Sequence, residues 1–290
     1  MKHAIGLLML LAAPVFAQHD HSQPPPATPA AQPAPRAWTS QPLLLPGRNP
    51  RGERAAALLR PQGIDVSHLT VYAPEGPSER RRVDYPVGPN GARIESATPK
   101  IGNYHWVIAR EETPELVKVA STAWYFGNPG ASPRALLKEV KHELEIVPDP
   151  LPREHGSYRE SEKWRFLVRF MGQPLANQPL TLETEFGSRS TALTDAAGIA
   201  TVLFPRDFKP AEKGKADDGG HGPRRAKFVL FTAQEAEGRR YLTAFNHTYG
   251  EDLDRNRSLG WGAVFGLAGM LAATPLLRRR NAIQGDANDA

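Results

Sequence analysis

The stretch Trp164-Arg165-Phe166-Leu167-Val168-Arg169-Phe170 sets large apolar side chains against Arg165, Leu167 and Arg169 at every second position. Successive side chains of a strand point to opposite faces, so Trp164, Phe166, Val168 and Phe170 line one wholly apolar face, and the other face is partly cationic. This is a strand with one side on a core. Outward from it, Gly172-Gln173-Pro174-Leu175 turns the chain into Leu180 to Glu185, and Thr194-Asp195-Ala196-Ala197-Gly198 turns it into Ile199 to Phe204. Gly172 and Gly198 stand where a positive φ costs least. Leu144 to Val147, Lys227 to Ala233 and Tyr241 to His247 complete this set. Upstream, His68 to Tyr72, Tyr104 to Ala109 and Leu116 to Tyr125 form a second set, broken by Pro89-Asn90-Gly91 and Gly127-Asn128-Pro129-Gly130. Short strands at such spacing predict an all-β fold of two tandem β-sandwich (Ig/fibronectin-like) domains, 51–143 and 144–250. Gly52 to Leu59 is predicted to form a short helix ahead of the first strand.

The two ends of the chain carry a different message. Met1 to Ala17 has a basic Lys2, an apolar run from Ala4 to Ala13, a helix-breaking Pro14, and Val15 and Ala17 at the positions a signal peptidase reads. This is a signal-peptide pattern with a cut after Ala17. Residues 18–50 are rich in Pro, Ala and Gln, as in Pro24-Pro25-Pro26 and Pro33-Ala34-Pro35, and are expected to form a disordered, semi-extended linker. Leu259 to Leu277 is uncharged and mostly apolar, and Arg278, Arg279 and Arg280 follow it directly. At about 1.5 Å per residue this stretch comes close to the thickness of the bilayer hydrocarbon. The expectation is one C-terminal transmembrane helix with a cytoplasmic tail, 278–290, and a periplasmic body anchored in the inner membrane.

Composition narrows the function further. The chain has no cysteine, so disulfide stapling, a thiolate metal site, a cysteine nucleophile and a lipid-bearing cysteine are all excluded. The net charge of +5 over 290 residues is modest and lies partly in the terminal arginine cluster, which argues against nucleic acid as a partner. No G-x-S-x-G elbow, phosphate-binding glycine loop or zincin helix is present, and no enzymatic activity or organic cofactor is expected. Glu111-Glu112 and Glu251-Asp252 are neighbouring acids; neighbours on a strand face opposite ways, and both pairs read as surface.

Leu144-Glu145-Ile146-Val147-Pro148, Gly172-Gln173-Pro174-Leu175-Ala176 and Thr194-Asp195-Ala196-Ala197-Gly198, in that order, resemble a family of extracytoplasmic proteins with tandem β-sandwich regions, the periplasmic components of nickel or cobalt uptake systems. The resemblance implies a non-enzymatic, membrane-tethered accessory protein that presents nickel or cobalt to a transporter.

The local chemistry permits such a role at two places. Gln18-His19-Asp20-His21 offers two imidazoles and a carboxylate on a flexible tether, ligands suited to Ni(II), Co(II), Cu(II) or Zn(II). Asp217, Asp218 and His221 lie together in a Gly-rich loop. Solvated linker and loop chemistry is the plainer reading of both clusters. His105, His142, His155 and His247 are expected to fill structural roles. Within the anchor, Gly262 and Gly266 form a G-x-x-x-G pattern that permits a homodimer or docking on a membrane partner, a metal transporter among them. The rival reading is an envelope interaction module whose sandwich domains bind protein or polysaccharide, without metal. A third treats the C-terminal helix as a removable sorting tail.

Overall fold

The computed structural model describes residues 37–47, 55–98, 102–127, 130–152, 156–209, 224–252 and 262–274. Among the described residues sixteen strands carry the body. The first seven are β1 (Leu43–Pro46), β2 (Ala56–Gln62), β3 (His68–Tyr72), β4 (Arg82–Pro86), β5 (Ala92–Glu95), β6 (Tyr104–Glu112) and β7 (Leu116–Tyr125). After the short helix α1 (Arg134–Lys138) come β8 (Leu144–Pro148), β9 (Tyr158–Arg159), β10 (Lys163–Phe170), β11 (Gln173–Pro174), β12 (Pro179–Thr184), β13 (Arg189–Leu193) and β14 (Ile199–Leu203). The long hairpin β15 (Arg225–Ala236) and β16 (Arg239–Gly250) ends the body.

One central sheet runs in the order β13-β12-β15-β16-β7-β6-β3-β4, with β9 joining the end of β16. It crosses the expected boundary at residue 143. The join is a parallel pair: Arg240 to Phe245 of β16 runs beside Leu116 to Ser121 of β7. A smaller sheet covers each face. On one side β8 and β14 flank β10, and Phe166, Val168, Ile146 and Val202 pack with Trp106, Phe228, Phe245 and Tyr249 of the central sheet. On the other, β1-β2-β5 brings Leu44, Leu59 and Ile94 against Leu69, Val107, Ala109 and Ala120. Alternation within β6 shows the division: Trp106 and Ile108 enter the first core, Val107 and Ala109 the second.

The all-β reading therefore holds, with two findings that differ in detail. Ala56 to Leu59 is strand, not helix. Alanine and leucine are good helix formers, but Leu59 pairs with Pro46 on one side and Ala92 on the other, and burial of Ala57 and Leu59 in a sheet outweighs local propensity. The linker expected through residue 50 also contains β1. Leu43 and Leu44 are 0 and 1 % exposed, so the chain is already in the core there.

The turn into β14 has the anticipated chemistry. Asp195 Oδ1 accepts from the backbone N–H of Ala197 and of Ile199, each at 2.9 Å, and Gly198 takes φ +74°. A Cβ at Gly198 would sit 2.8 Å from Pro174 Cβ and from the Val168 carbonyl oxygen, so the turn also docks on the β10–β11 hairpin.

At the C-terminus residues 262–274 are helical. Phe265 and Leu271 are 69 and 73 % exposed, and a Cβ placed on Gly262, Gly266 or Gly269 would meet nothing within 4 Å. Among the described residues no helix is long and apolar enough to cross a membrane.

Candidate functional site

Strand β1 lies across the central sheet and is fixed there by a side chain. The Asn246 amide donates to the Leu44 carbonyl and accepts from the Leu44 N–H, both at 2.8 Å. It copies one rung of a β-ladder. Thr122 steadies it from β7, its hydroxyl donating to the Asn246 carbonyl at 2.7 Å. Leu43 meanwhile packs on Val229 and Ala244.

Where β1 ends, the same face of the sheet opens into a cleft of about 380 Å³. Its floor comes from three adjacent strands: Arg225 and Lys227 of β15, Asn246 and Thr248 of β16, Thr122 and Trp124 of β7. Lys227 and Thr248 are register partners, and β7 lies on the other side of β16, paired with it as far as Ser121 beside Phe245. Leu45 and Pro46 of β1, with Leu59 of β2, make an aliphatic wall. The floor is thus polar and cationic around one indole, and the wall is apolar.

The groups in the cleft differ in how far their chemistry is already used. Lys227 pairs with Glu185, which also accepts the Lys227 backbone N–H. Arg225 is exposed and makes no ion pair among the described residues. Trp124 is half-buried, its ring edge-on to Phe126 at 6.5 Å, and its indole N–H bonds to none of the described residues. Burial pushes the His247 imidazole below its ordinary range, and the charge of Arg225 pushes the same way.

A second polar cluster closes the end of the core beneath α1. The guanidinium of Arg169 donates to Glu145 at 2.6 Å and to the carbonyls of Lys138 and Glu139, the two residues where the helix ends. Glu145 also accepts the Lys141 N–H at 3.1 Å. Lys141 bonds the carbonyls of Leu136 and Glu139 and lies over the rings of Tyr72 and Trp106, and burial brings its ammonium down to about 8. Every cation here has a structural partner. The cluster holds α1 on the sandwich.

Of the residues singled out in the sequence, His19, Asp20, His21, Asp217, Asp218 and His221 lie outside the described residues, as does His155. Among the described residues no group of three or more His, Asp or Glu side chains could hold a metal ion. His105 is buried and accepts the Ala97 N–H through Nε2 at 3.0 Å, and burial lowers it to about 4. His142 is buried with Nδ1 unpartnered and is lowered to about 3, by burial first and then by Lys141, Arg110 and Arg169. Glu111 and Glu112 do face apart: Glu111 meets Lys118 and the Asp65 N–H, while Glu112 meets Arg110 and Arg239. Glu251 pairs with Arg224.

The cleft went unread in the sequence because its residues come from five separate strands. The available signal was the cationic, hydroxyl-bearing face of β15 and β16, with Lys227 opposite Thr248 and Arg225 two residues before Lys227.

Residues 260–280 match the PGF-CTERM motif, a C-terminal cell-surface anchoring signal, and the match is consistent with a body outside the cell. It covers the expected anchor and the start of the tail. No curated protein matches the chain. Among solved structures the chain is similar to the D0-D1 domain of Intimin, at 14 % identity over 67 % of this chain and 88 % of that one, with a TM-score of 0.23. It is also similar to the BSP domain of a biofilm associated protein, at 11 % identity over 69 % of this chain, with a TM-score of 0.21. The chain spans 28 % of the length of that second structure. At these TM-scores neither likeness bears on function.

Proposed function

We propose that this protein is an exported β-sandwich module, held at the cell envelope by its C-terminal segment, that binds an envelope component through the face where β1 ends. The observation that carries this reading is the cleft itself. It sets a guanidinium without an ion pair among the described residues, a second cation and a half-buried indole on a three-strand floor, next to an aliphatic wall. A rigid scaffold with a few convergent polar groups and an apolar side is the usual make-up of a binding site. The surface-anchoring motif at residues 260–280 supports placing that face outside the cell.

Metal delivery rests on the resemblance and on two histidine-bearing segments outside the described residues. The two readings part on one pair of measurements with the full chain in detergent. Co-sedimentation with envelope stripped of its membrane, where the C-terminal segment has no hold, should retain the protein, and chelator should not release it. Calorimetric titration with nickel and cobalt should give no saturable binding at micromolar metal. Saturable binding that disappears in His19→Ala/His21→Ala, without envelope retention, would overturn the proposal in favour of metal delivery.

A further inference from the structure

We infer that the cleft beyond β1 takes a carboxylated sugar unit of an acidic polysaccharide. This rests on the reading of the chain as an envelope-binding module and names the ligand of that site. The argument goes from the floor of the cleft to the chemistry that would fill it.

Two cations lie side by side on β15, and Arg225 is without an ion-pair partner among the described residues. A planar guanidinium with open donors suits a carboxylate, which it can grip through two parallel N–H bonds. Lys227 is only partly committed, since Glu185 shares it. The cleft therefore calls for an anion of low charge. Lys227 and its register partner Thr248 share the floor with Trp124, so a cation, a hydroxyl and an aromatic plane line one cleft. A pyranose carrying a carboxyl group meets all three, with its acid on the cations, its ring hydroxyls on Thr248 and the indole N–H, and its C–H face on the indole or on Pro46.

Other anions fit less of the floor. An acidic peptide side chain would satisfy the cations but has no flat, hydroxyl-rimmed body for Trp124 and Thr248. A nucleic acid needs a run of cations along its phosphates, and this floor has two. A membrane surface is broad, whereas this site is concave. Its volume of about 380 Å³ lies near the lower end for small-molecule sites, and holds a sugar unit with part of the next.

The test uses the full chain in detergent and a uronate oligosaccharide, with a neutral oligosaccharide of the same length, poly-glutamate and anionic lipid vesicles as controls. Binding is followed by tryptophan fluorescence and calorimetry. The expected result is saturable binding of the uronate, weakened by salt, with the neutral sugar at least about tenfold weaker. Arg225→Gln should weaken the uronate by about tenfold or more, the loss of a hydrogen-bonded charge. Because Arg225 is exposed, this variant should fold, and an unchanged near-ultraviolet circular dichroism spectrum verifies it. Lys227→Gln should weaken binding less. Equal affinity for uronate and neutral sugar, or uronate binding untouched by Arg225→Gln, would overturn the inference. A preference for poly-glutamate or vesicles would overturn it in favour of that ligand. In each case retention of the detergent-solubilised full chain on envelope stripped of its membrane, where the C-terminal segment has no hold, reads the module proposal separately, so the module stands if that retention persists while the uronate fails.

Discussion

The side-chain amide of Asn246 bonds both the N–H and the C=O of Leu44, residues 202 positions apart in the chain. Both partners are buried, and Leu44 is the second residue of the strand whose end shapes the cleft. A buried backbone group without a partner costs about 1–3 kcal/mol. Asn246→Ala leaves two such groups and should lower the unfolding free energy by about 2–4 kcal/mol in urea denaturation. A change below about 0.5 kcal/mol would show that β1 is held by its apolar contacts alone.

The pair Arg169–Glu145 carries a different prediction. Both side chains are nearly sealed from solvent, at 6 and 1 % exposure. Removing one member of such a pair strands a buried charge and costs about 3–5 kcal/mol. Glu145→Gln should fall in or near that range. Arg169→Met/Glu145→Leu should recover only part of the loss, because the carbonyls of Lys138 and Glu139 lose their donor. Full recovery would mean that Arg169 does not hold the end of α1.

Acid sensitivity follows from two buried imidazoles. His142 is lowered to about 3 and His105 to about 4, against an ordinary value of 6.5. Below 6.5 the unfolded chain takes up protons that the folded chain refuses, so unfolding is favoured as pH falls from 6.5 towards 4 and, for His142, on towards 3. Each histidine contributes a slope of up to about 1.4 kcal/mol per pH unit in its window. Lys141, Arg110 and Arg169 face His142 and reinforce the effect. Unfolding free energies between pH 7.5 and 4 should drop, and the drop should be shallower in His142→Gln. A flat profile would contradict the burial of these rings.

Two glycines with the same backbone angle should respond differently to a side chain. Gly198 and Gly238 both have φ +74°, but a Cβ at Gly198 strikes Pro174 and the Val168 carbonyl, whereas one at Gly238 meets nothing within 4 Å. Gly238→Ala should cost about 1 kcal/mol, the strain of the left-handed backbone. Gly198→Ala should cost clearly more, measured by the same denaturation. Equal losses would mean that the turn is not docked on the β10–β11 hairpin.

Local alternation made much of this fold legible. Phe166 and Val168 are buried as the period of two requires, and Asp195 and Gly198 make the turn their types imply. The other face of β10 misled, since Arg169 is buried: β8 and α1 wrap that side, and Glu145 supplies the counter-charge. Tertiary pairing also hid two elements. Leu43 to Pro46 looks like the end of a proline-rich linker until Asn246 and Val229 are brought against it. Ala56 to Leu59 looks helical until β1 and β5 flank it. The parallel pair of β7 and β16 joins segments more than a hundred residues apart, and no local pattern signals it. The cleft inherits that difficulty, because its floor exists only once β7, β16 and β15 lie side by side.

The most direct measurement of the central claim is envelope retention of a charge-reversed cleft. Full-length Arg225→Glu/Lys227→Glu in detergent, checked for an unchanged circular dichroism spectrum, should be released from envelope stripped of its membrane, where the C-terminal segment has no hold, at a salt concentration that retains the parent protein. Retention equal to that of the parent would place the binding function elsewhere on the molecule and contradict the account.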